Sequence, residues 1–251
     1  MKAHRVTLLC FLAVACLMLS AGLHWLAAEF FPAKQLTLSP AEHMTRAELW
    51  HLPPSGKERG VLVLCPGYNG SGRSLVNDRE WRKYAADENL GLIGLSFASE
   101  ESDLQDGTGY YYASRGSGQL LLDGVQTIYG RPLPLFLHGF SGGGHFAARL
   151  MAWKPEAVAA WCALGVGWWD PPEPGRSYPP GIIACGVEDE RLEASREFFR
   201  LGSELGLPWE WRPLAGWGHA MNPQLDAAVR EFFRTQLQAV GEKNDFFQSR
   251  Y

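Results

Sequence analysis

The stretch LPLFLHGFSGGGHFAARLMAW, residues 133–153, is the clearest indication of the fold of this chain. Residues 133–139 are mostly apolar and are typical of a buried strand, and residues 142–153 carry apolar side chains at helical spacing. Between them lies the motif G-x-S-x-G, with Ser141 at its centre. The flanking glycines permit a sharp turn, because a Cβ there would collide with the neighbouring strand and helix. The stretch therefore predicts a strand, a strained turn that exposes the Ser141 hydroxyl, and a helix.

The rest of the chain repeats this alternation of apolar strands and amphipathic helices. Continuous apolar strands of this kind are typical of a sheet that is covered on both faces. The sequence thus predicts an α/β fold with a mostly parallel central sheet and helices on both faces. The further predicted strands are 45–52, 61–65, 90–98, 157–164, 181–186 and 209–214, and the further predicted helices are 74–90, 118–130, 191–206 and 222–237.

Length and charge narrow the classes of function. The chain has 251 residues, of which 46% are hydrophobic, and this is enough to fill the core of one large domain, predicted over residues 29–251. The formal net charge is −4, and the sequence contains no run of lysines and arginines. Phosphate binding needs a concentrated basic face, so we exclude a nucleic-acid partner.

The first residues have the pattern of an export signal. MKAHR is short and basic, and VTLLCFLAVACLMLSAGL, residues 6–23, is apolar and unbroken. We expect a signal peptide within residues 1–28, cleaved after residues 20–22 or near residues 27–28. If it is not cleaved, residues 6–28 are long enough to anchor the chain in a bilayer, and lipid attachment at Cys16 is a weaker alternative. Each outcome predicts a periplasmic or extracellular domain that contacts a membrane only through this segment.

Three cysteines remain beyond the signal, Cys65, Cys162 and Cys185. An odd number excludes a complete disulfide framework. Each lies in an apolar, strand-like run, which favours a small buried side chain. A bridge between Cys162 and Cys185 stays open for an oxidising compartment.

Ser141 needs two further groups if it is to act as a nucleophile. A serine hydroxyl attacks effectively when a base accepts its proton, and that base needs an orienting carboxylate. His219 follows the last predicted strand, and Asp189 follows the strand before it, between the alternative acids Glu188 and Glu190. Active groups of such sheets gather at the carboxyl ends of the strands, and the order serine, acid, histidine is the one expected for a nucleophile elbow. We therefore predict a triad of Ser141, Asp189 and His219.

These residues resemble the α/β-hydrolase superfamily and, more loosely, its small exported esterases of the polyhydroxybutyrate-depolymerase and feruloyl-esterase type. The resemblance covers nearly all of the chain beyond the signal, and it implies an oxyanion hole formed by the backbone N–H groups of Tyr68 and Gly142. Gly142 also begins a predicted helix, where an N–H points toward an anion. Residues 65–67 read Cys-Pro-Gly where many relatives carry a His-Gly pair. The matching motifs are PGYNGSG (66–72), GFSGGG (139–144), GVEDE (186–190) and GWGH (216–219).

The rim of the predicted site is short and rich in proline. Residues 165–180 occupy the place where many relatives insert a helical lid, and five of them are prolines. They predict a stiff rim and no large lid domain. We expect aromatic side chains near this rim to contact substrate, although such residues often pack into the domain instead. They are Trp168, Trp169, Trp217 and Tyr110.

The combined pattern predicts a serine hydrolase that cleaves carboxylic esters through an acyl-enzyme. The expected substrate is a short-acyl, aryl or sugar-linked ester, either a small molecule or attached to a polysaccharide. The chemistry requires no metal and no organic cofactor. A serine peptidase or amidase would use identical machinery, and a noncatalytic binding module that keeps the fold is a further alternative.

Overall fold

Eight strands form one sheet at the centre of the computed structural model, which describes residues 32–248. The strands are β1 (Lys34–Thr37), β2 (Arg46–His51), β3 (Gly60–Cys65), β4 (Leu90–Ala98), β5 (Leu135–Phe140), β6 (Val158–Leu164), β7 (Gly181–Gly186) and β8 (Trp209–Leu214). Across the sheet they lie in the order β1-β2-β4-β3-β5-β6-β7-β8. The β1–β2 and β2–β4 pairs are antiparallel, and every other neighbouring pair is parallel. The predicted, mostly parallel sheet is confirmed.

Helices cover both faces of this sheet. They are α1 (Gly72–Val76), α2 (Arg79–Asp87), α3 (Glu101–Gln105), α4 (Ser117–Tyr129), α5 (Gly142–Trp153), α6 (Leu192–Glu204) and α7 (Pro223–Gln248). On one face, Val61 and Val63 of β3 pack in a core with residues of α4, α5 and α6. On the other face, Leu62 and Leu64 pack with residues of α2 and α7. Successive strand residues point to opposite faces, so a strand that is apolar throughout joins two buried layers.

Two local features differ from the sequence-based expectations. The predicted helix 74–90 is wrong as a single element, because the chain breaks at Asn77 and Asp78 between α1 and α2. The Asp78 side chain accepts hydrogen bonds from the N–H groups of Glu80 and Trp81, and so caps a new helix. Strand β1, which the sequence analysis did not predict, is short and largely exposed, and it pairs with β2 at the edge of the sheet.

The three cysteines of the described chain are buried and unpaired. Cys162 of β6 lies opposite Ile182 of β7, three positions before Cys185. At about 3.3 Å per residue this offset is roughly 10 Å, beyond the Cα separation that a disulfide spans. The bridge between Cys162 and Cys185 that the sequence left open does not form.

The structure leaves the predicted export signal untested. Residues 1–28 lie outside the described residues, so the expected signal peptide or anchor stays a prediction. Within residues 32–248, none of the helices combines the length and the hydropathy that a bilayer crossing requires.

The sheet topology determines where a site can form. The loops that follow β5, β7 and β8 leave the same edge of the sheet, because these strands run parallel. Ser141, Asp189 and His219 lie on these three loops. Residues 165–180, which connect β6 and β7 over this edge, contain neither helix nor strand, in agreement with the prediction of no large lid.

Candidate active site

Ser141 occupies a strained turn between β5 and α5. Its backbone angles, φ 51° and ψ −116°, lie where residues with a side chain are rarely found. The turn is held by a 2.8 Å hydrogen bond from Ser141 N to Leu164 O. It also needs glycine on both sides, because a Cβ on Gly139 would lie 2.3 Å from the oxygen of Gly143, and one on Gly143 2.2 Å from the oxygen of Cys65. The close approach of strand and helix therefore raises the serine above the sheet.

His219 joins the serine to an acid. Its Nε2 lies 2.9 Å from Ser141 Oγ, and its Nδ1 lies 2.7 Å from Asp189 Oδ2. With the Nδ1 proton donated to the carboxylate, Nε2 is left as the acceptor for the serine proton. The ring packs against Phe140 with centroids 4.8 Å apart, and the side chain keeps 29% of its surface exposed. The histidine is thus oriented at both nitrogens and still open to substrate.

Asp189 is the one acid of the GVEDE loop that faces the histidine. Its side chain is 1% exposed, whereas Glu188 and Glu190 point to solvent. Its Oδ1 accepts from both the backbone N–H and the Nη1 of Arg191, each at 3.0 Å. Burial by itself raises the pKa of Asp189, but the hydrogen bonds from His219 and Arg191 outweigh it, and the pKa falls below its ordinary value. The carboxylate is therefore charged at neutral pH despite its burial.

Two residues that support the acid were missed by the sequence analysis. Arg191 lies just beyond the predicted acid loop, and no local pattern marked it as a partner of Asp189. Gly165, directly after β6, has φ +66°, and a Cβ there would lie 2.9 Å from His219 Nδ1. A side chain at this position would collide with the bond between His219 and Asp189. A glycine at a strand end was the only signal that could have indicated it.

The two predicted oxyanion donors lie close to Ser141. Gly142 is the first residue of α5, and a Cβ on Gly67 would lie 3.8 Å from Ser141 Cβ. A tight turn, with Gly70 N bonded to Gly67 O at 2.9 Å, leads the chain past Tyr68. The Tyr68 N–H has no hydrogen-bond acceptor within residues 32–248. This arrangement is compatible with the predicted pair of donors, which stays a prediction.

Among the aromatic residues expected at the substrate site, Trp168 is the one that offers a large surface. It is 47% exposed and tilts over His145 with ring centroids 4.0 Å apart. His145 is buried, and Arg149 Nη1 contacts its Nδ1 at 3.1 Å. Burial, reinforced by the charge of Arg149, lowers the pKa of His145 to about 3, so the ring is neutral at ordinary pH. Trp168 therefore rests on an uncharged imidazole ring.

The other three aromatic residues are placed differently from the expectation. Trp169 stacks on Phe198 at 4.2 Å, and Tyr110 is 3% exposed. Trp217 lines a separate depression, formed by β8 and the start of α7, that does not include Ser141. Trp169 and Tyr110 thus pack into the domain, and Trp217 faces a different depression. The expected contacts of these three residues with substrate stay predictions.

A small cavity adjoins Trp168 under the proline-rich rim. Its volume is about 230 Å³, and Arg149 and Trp169 lie in its wall. The other lining residues include Tyr112, Trp153, Arg176 and Tyr178. Its lining includes none of Ser141, Asp189 and His219, so the cavity is separate from the serine.

Comparison with solved structures identifies the fold. No protein-family model matches the sequence, and no curated protein resembles it. Among solved structures, fluorophosphonate-binding serine hydrolase F of Staphylococcus aureus, in a substrate-bound structure, superposes with a TM-score of 0.58 over 82% of this chain and 99% of its own, at 15% identity. LpqC, a poly(3-hydroxybutyrate) depolymerase from Bordetella parapertussis, gives a TM-score of 0.55 over 78% of this chain and 88% of its own, at 18% identity.

A third neighbour is carboxyl esterase 2 of the fungus Tuber melanosporum, with a TM-score of 0.60 over 83% of this chain and 88% of its own, at 12% identity. The expected likeness to hydrolases that include a polyhydroxybutyrate depolymerase is confirmed at the level of structure. At these identities the likeness extends to architecture and not to substrate. The chain therefore has the α/β-hydrolase fold.

Proposed function

We propose that this protein is a serine hydrolase that cleaves carboxylic esters through an acyl-enzyme. The observation that carries the proposal is the continuous hydrogen-bonded line from Ser141 Oγ through His219 to Asp189, at 2.9 and 2.7 Å. The strained turn at Ser141 and the buried, charged Asp189 support it, because both are costly to a fold that does not use them. These features also count against a noncatalytic binding module.

The geometry supports a two-step reaction. Ser141 Oγ attacks the ester carbonyl carbon while His219 Nε2 takes the serine proton, and Asp189 stabilises the imidazolium. The N–H groups of Tyr68 and Gly142 bind the negative oxygen of the tetrahedral intermediate. His219 then gives the proton to the departing alcohol, and the acyl group stays on Ser141. Water repeats the sequence with His219 as base and releases the acid.

The substrate we propose is an ester with a short or aromatic acyl group, including sugar-linked esters. Trp168 is 47% exposed and offers a flat surface to a ring or a sugar. Each buried methylene contributes about 0.8 kcal/mol, so a long acyl chain gains little where the apolar wall is short. Residues 165–180 contain no helix that would have to move aside at a lipid surface.

A substrate panel tests the proposal. Purified enzyme should hydrolyse p-nitrophenyl acetate, butyrate and an aryl ester such as methyl ferulate, with simple saturation and no jump above the solubility limit. The matched anilides separate an esterase from an amidase or peptidase. Faster cleavage of the anilides would replace the proposed function with amide hydrolysis, and a preference that grows steadily to long chains would indicate a lipase.

We further propose that the protein is exported, with its signal or anchor within residues 1–28. The support for export is the sequence: residues 1–5 are short and basic, and residues 6–23 are apolar and unbroken. Fractionation of expressing cells, with mass determination of the mature N-terminus, tests this. Full-length protein in the cytosolic fraction would contradict export.

A further inference from the structure

Two tyrosine hydroxyl groups fill the space beside Gly142. A Cβ on Gly142 would lie 2.5 Å from Tyr110 Oη and 2.8 Å from Tyr111 Oη. Both hydroxyls thus occupy the volume that a side chain after the serine would otherwise take. The nitrogen of Gly142 and this Cβ position branch from the same Cα. The Tyr111 hydroxyl is therefore a direct neighbour of the residue whose N–H is a predicted oxyanion donor.

The hydroxyl groups of the three neighbouring tyrosines differ in their partners. Asn69 N–H donates to Tyr110 Oη at 3.2 Å, and Tyr112 Oη donates to Leu104 O at 3.3 Å. The Tyr111 hydroxyl lies beside that of Tyr110, and within residues 32–248 it has no such partner on the backbone. Tyr111 thus presents a hydroxyl without a backbone partner beside Gly142.

The Tyr111 ring is held in place by its neighbours. It stacks on His145 with centroids 4.8 Å apart and an interplanar angle of 13°, and it meets Tyr110 edge-on at 4.7 Å. The residue is only 5% exposed. Burial raises the pKa of Tyr111, so its hydroxyl keeps its proton through the neutral range. The hydroxyl is therefore a fixed, neutral donor, and it needs no rearrangement to act.

We propose that Tyr111 Oη–H donates a hydrogen bond to the substrate carbonyl oxygen, as a third donor beside the N–H groups of Gly142 and Tyr68. This assignment rests on the proposed ester hydrolysis at Ser141. No proton leaves Tyr111: its bond shortens and strengthens as the carbonyl oxygen gains negative charge in the transition state. Tyr111 is then a catalytic residue, and its contribution is larger in the transition state than in the bound substrate.

Tyr111→Phe tests the assignment, with Tyr112→Phe as its matched control. Phenylalanine keeps the packed ring and removes only the hydroxyl. Tyr112→Phe removes the hydroxyl of the neighbouring residue, which donates to Leu104 O at 3.3 Å. With p-nitrophenyl acetate we expect kcat to fall about 10- to 100-fold in Tyr111→Phe with KM little changed, and less than twofold in Tyr112→Phe. Affinity for phenylboronic acid, which forms a tetrahedral anion on the serine, should fall by a similar factor.

A ratio measured on one sample removes any effect of folding. The rate of an ester relative to its thionoester, whose sulfur accepts hydrogen bonds poorly, does not depend on the fraction of folded enzyme. This ratio should fall in Tyr111→Phe and stay at the wild-type value in Tyr112→Phe. If the wild-type enzyme is active and the ratio is unchanged in Tyr111→Phe, the assignment of Tyr111 is wrong while the proposed function stands. If the wild-type enzyme hydrolyses no ester, both are wrong.

Discussion

Two histidine–aspartate pairs in this molecule have nearly the same hydrogen bond and different surroundings. His219 Nδ1 lies 2.7 Å from Asp189, and His138 Nε2 lies 2.8 Å from Asp226. The second nitrogen of His219 meets Ser141 Oγ. The second nitrogen of His138 is buried and has no partner within the described chain. The carboxylate contact alone therefore does not distinguish a catalytic histidine.

Position in the fold explains the difference between the pairs. His138 lies within β5, and its side chain is 2% exposed and packs against Trp81 at 5.3 Å. Asp226 lies in the first turn of α7, so this hydrogen bond links α7 to β5. His219 instead lies on the loop after β8, at the edge where the strands end. We therefore propose that His138–Asp226 is a structural link and that His219–Asp189 is the catalytic pair.

The largest expected effect comes from removing the Ser141 hydroxyl, which contacts His219 and has no counterpart at His138 within residues 32–248. Ser141→Ala should lower kcat for p-nitrophenyl acetate by at least about 10⁴-fold, because nothing else presents a nucleophile to His219. The melting temperature should stay close to that of the wild type, since the flanking glycines and not the hydroxyl form the turn. A variant that retains more than a hundredth of the wild-type rate would contradict the role of Ser141.

Asp189→Asn should have the next largest effect, about 10³- to 10⁴-fold on kcat. An asparagine amide favours the wrong tautomer of His219, which then cannot accept the serine proton. Glu188→Gln and Glu190→Gln, on the exposed sides of the same loop, serve as controls and should change kcat less than threefold. A severe loss in either control would show that Asp189 is not the acid of the triad.

Arg191→Ala should be milder, about five- to tenfold on kcat, because the backbone N–H of Arg191 and the bond to His219 still hold the carboxylate. Loss of the guanidinium raises the pKa of Asp189 toward its ordinary value. The stability that a lowered carboxyl pKa provides is complete above the ordinary pKa, about 4, and disappears as the pH falls through the native value. Melting curves of wild type and variant should therefore differ at pH 7 and converge toward pH 3. A gap that widens in acid would contradict this coupling.

The smallest catalytic effect is expected at the structural pair. Asp226→Asn is the same chemical change as Asp189→Asn, yet kcat/KM should stay within twofold of the wild type. Weakening a buried, charge-assisted hydrogen bond should instead cost about 1–2 kcal/mol of unfolding free energy, or a few degrees of melting temperature. Activity assays and calorimetry on the two asparagine variants make the comparison. A large fall in kcat with an unchanged melting temperature would assign a catalytic role to Asp226.

Sequence patterns predicted the elements that depend on short-range periodicity. The strands around Ser141, Asp189 and His219 are apolar runs, and parallel strands bring their ends to one edge, so residues far apart in sequence could be placed together. The choice of Asp189 over its neighbours also follows from the turn after Gly186, where Asp189 N bonds to Gly186 O at 3.1 Å.

Features that depend on packing between distant segments could not be predicted in this way. Three consecutive tyrosines, residues 110–112, look equivalent in sequence, and only the fold shows that the hydroxyls of Tyr110 and Tyr111 reach the space beside Gly142 while that of Tyr112 donates to Leu104 O. Arg191 likewise has a role because the loop turns its guanidinium back onto Asp189. Strand β1 has a polar sequence, and pairing with β2 at the edge of the sheet stabilises it.

Labelling with a fluorophosphonate, followed by mass spectrometry of the digested protein, tests whether Ser141 is the nucleophile. The reagent reacts with a serine only when a base activates its hydroxyl. We expect one adduct per molecule, on the peptide that contains Ser141. The adduct should be lost in both Ser141→Ala and His219→Ala, whereas Asp226→Asn should be labelled like the wild type. An adduct on any other residue, or an unmodified Ser141 in folded wild-type protein, would contradict it.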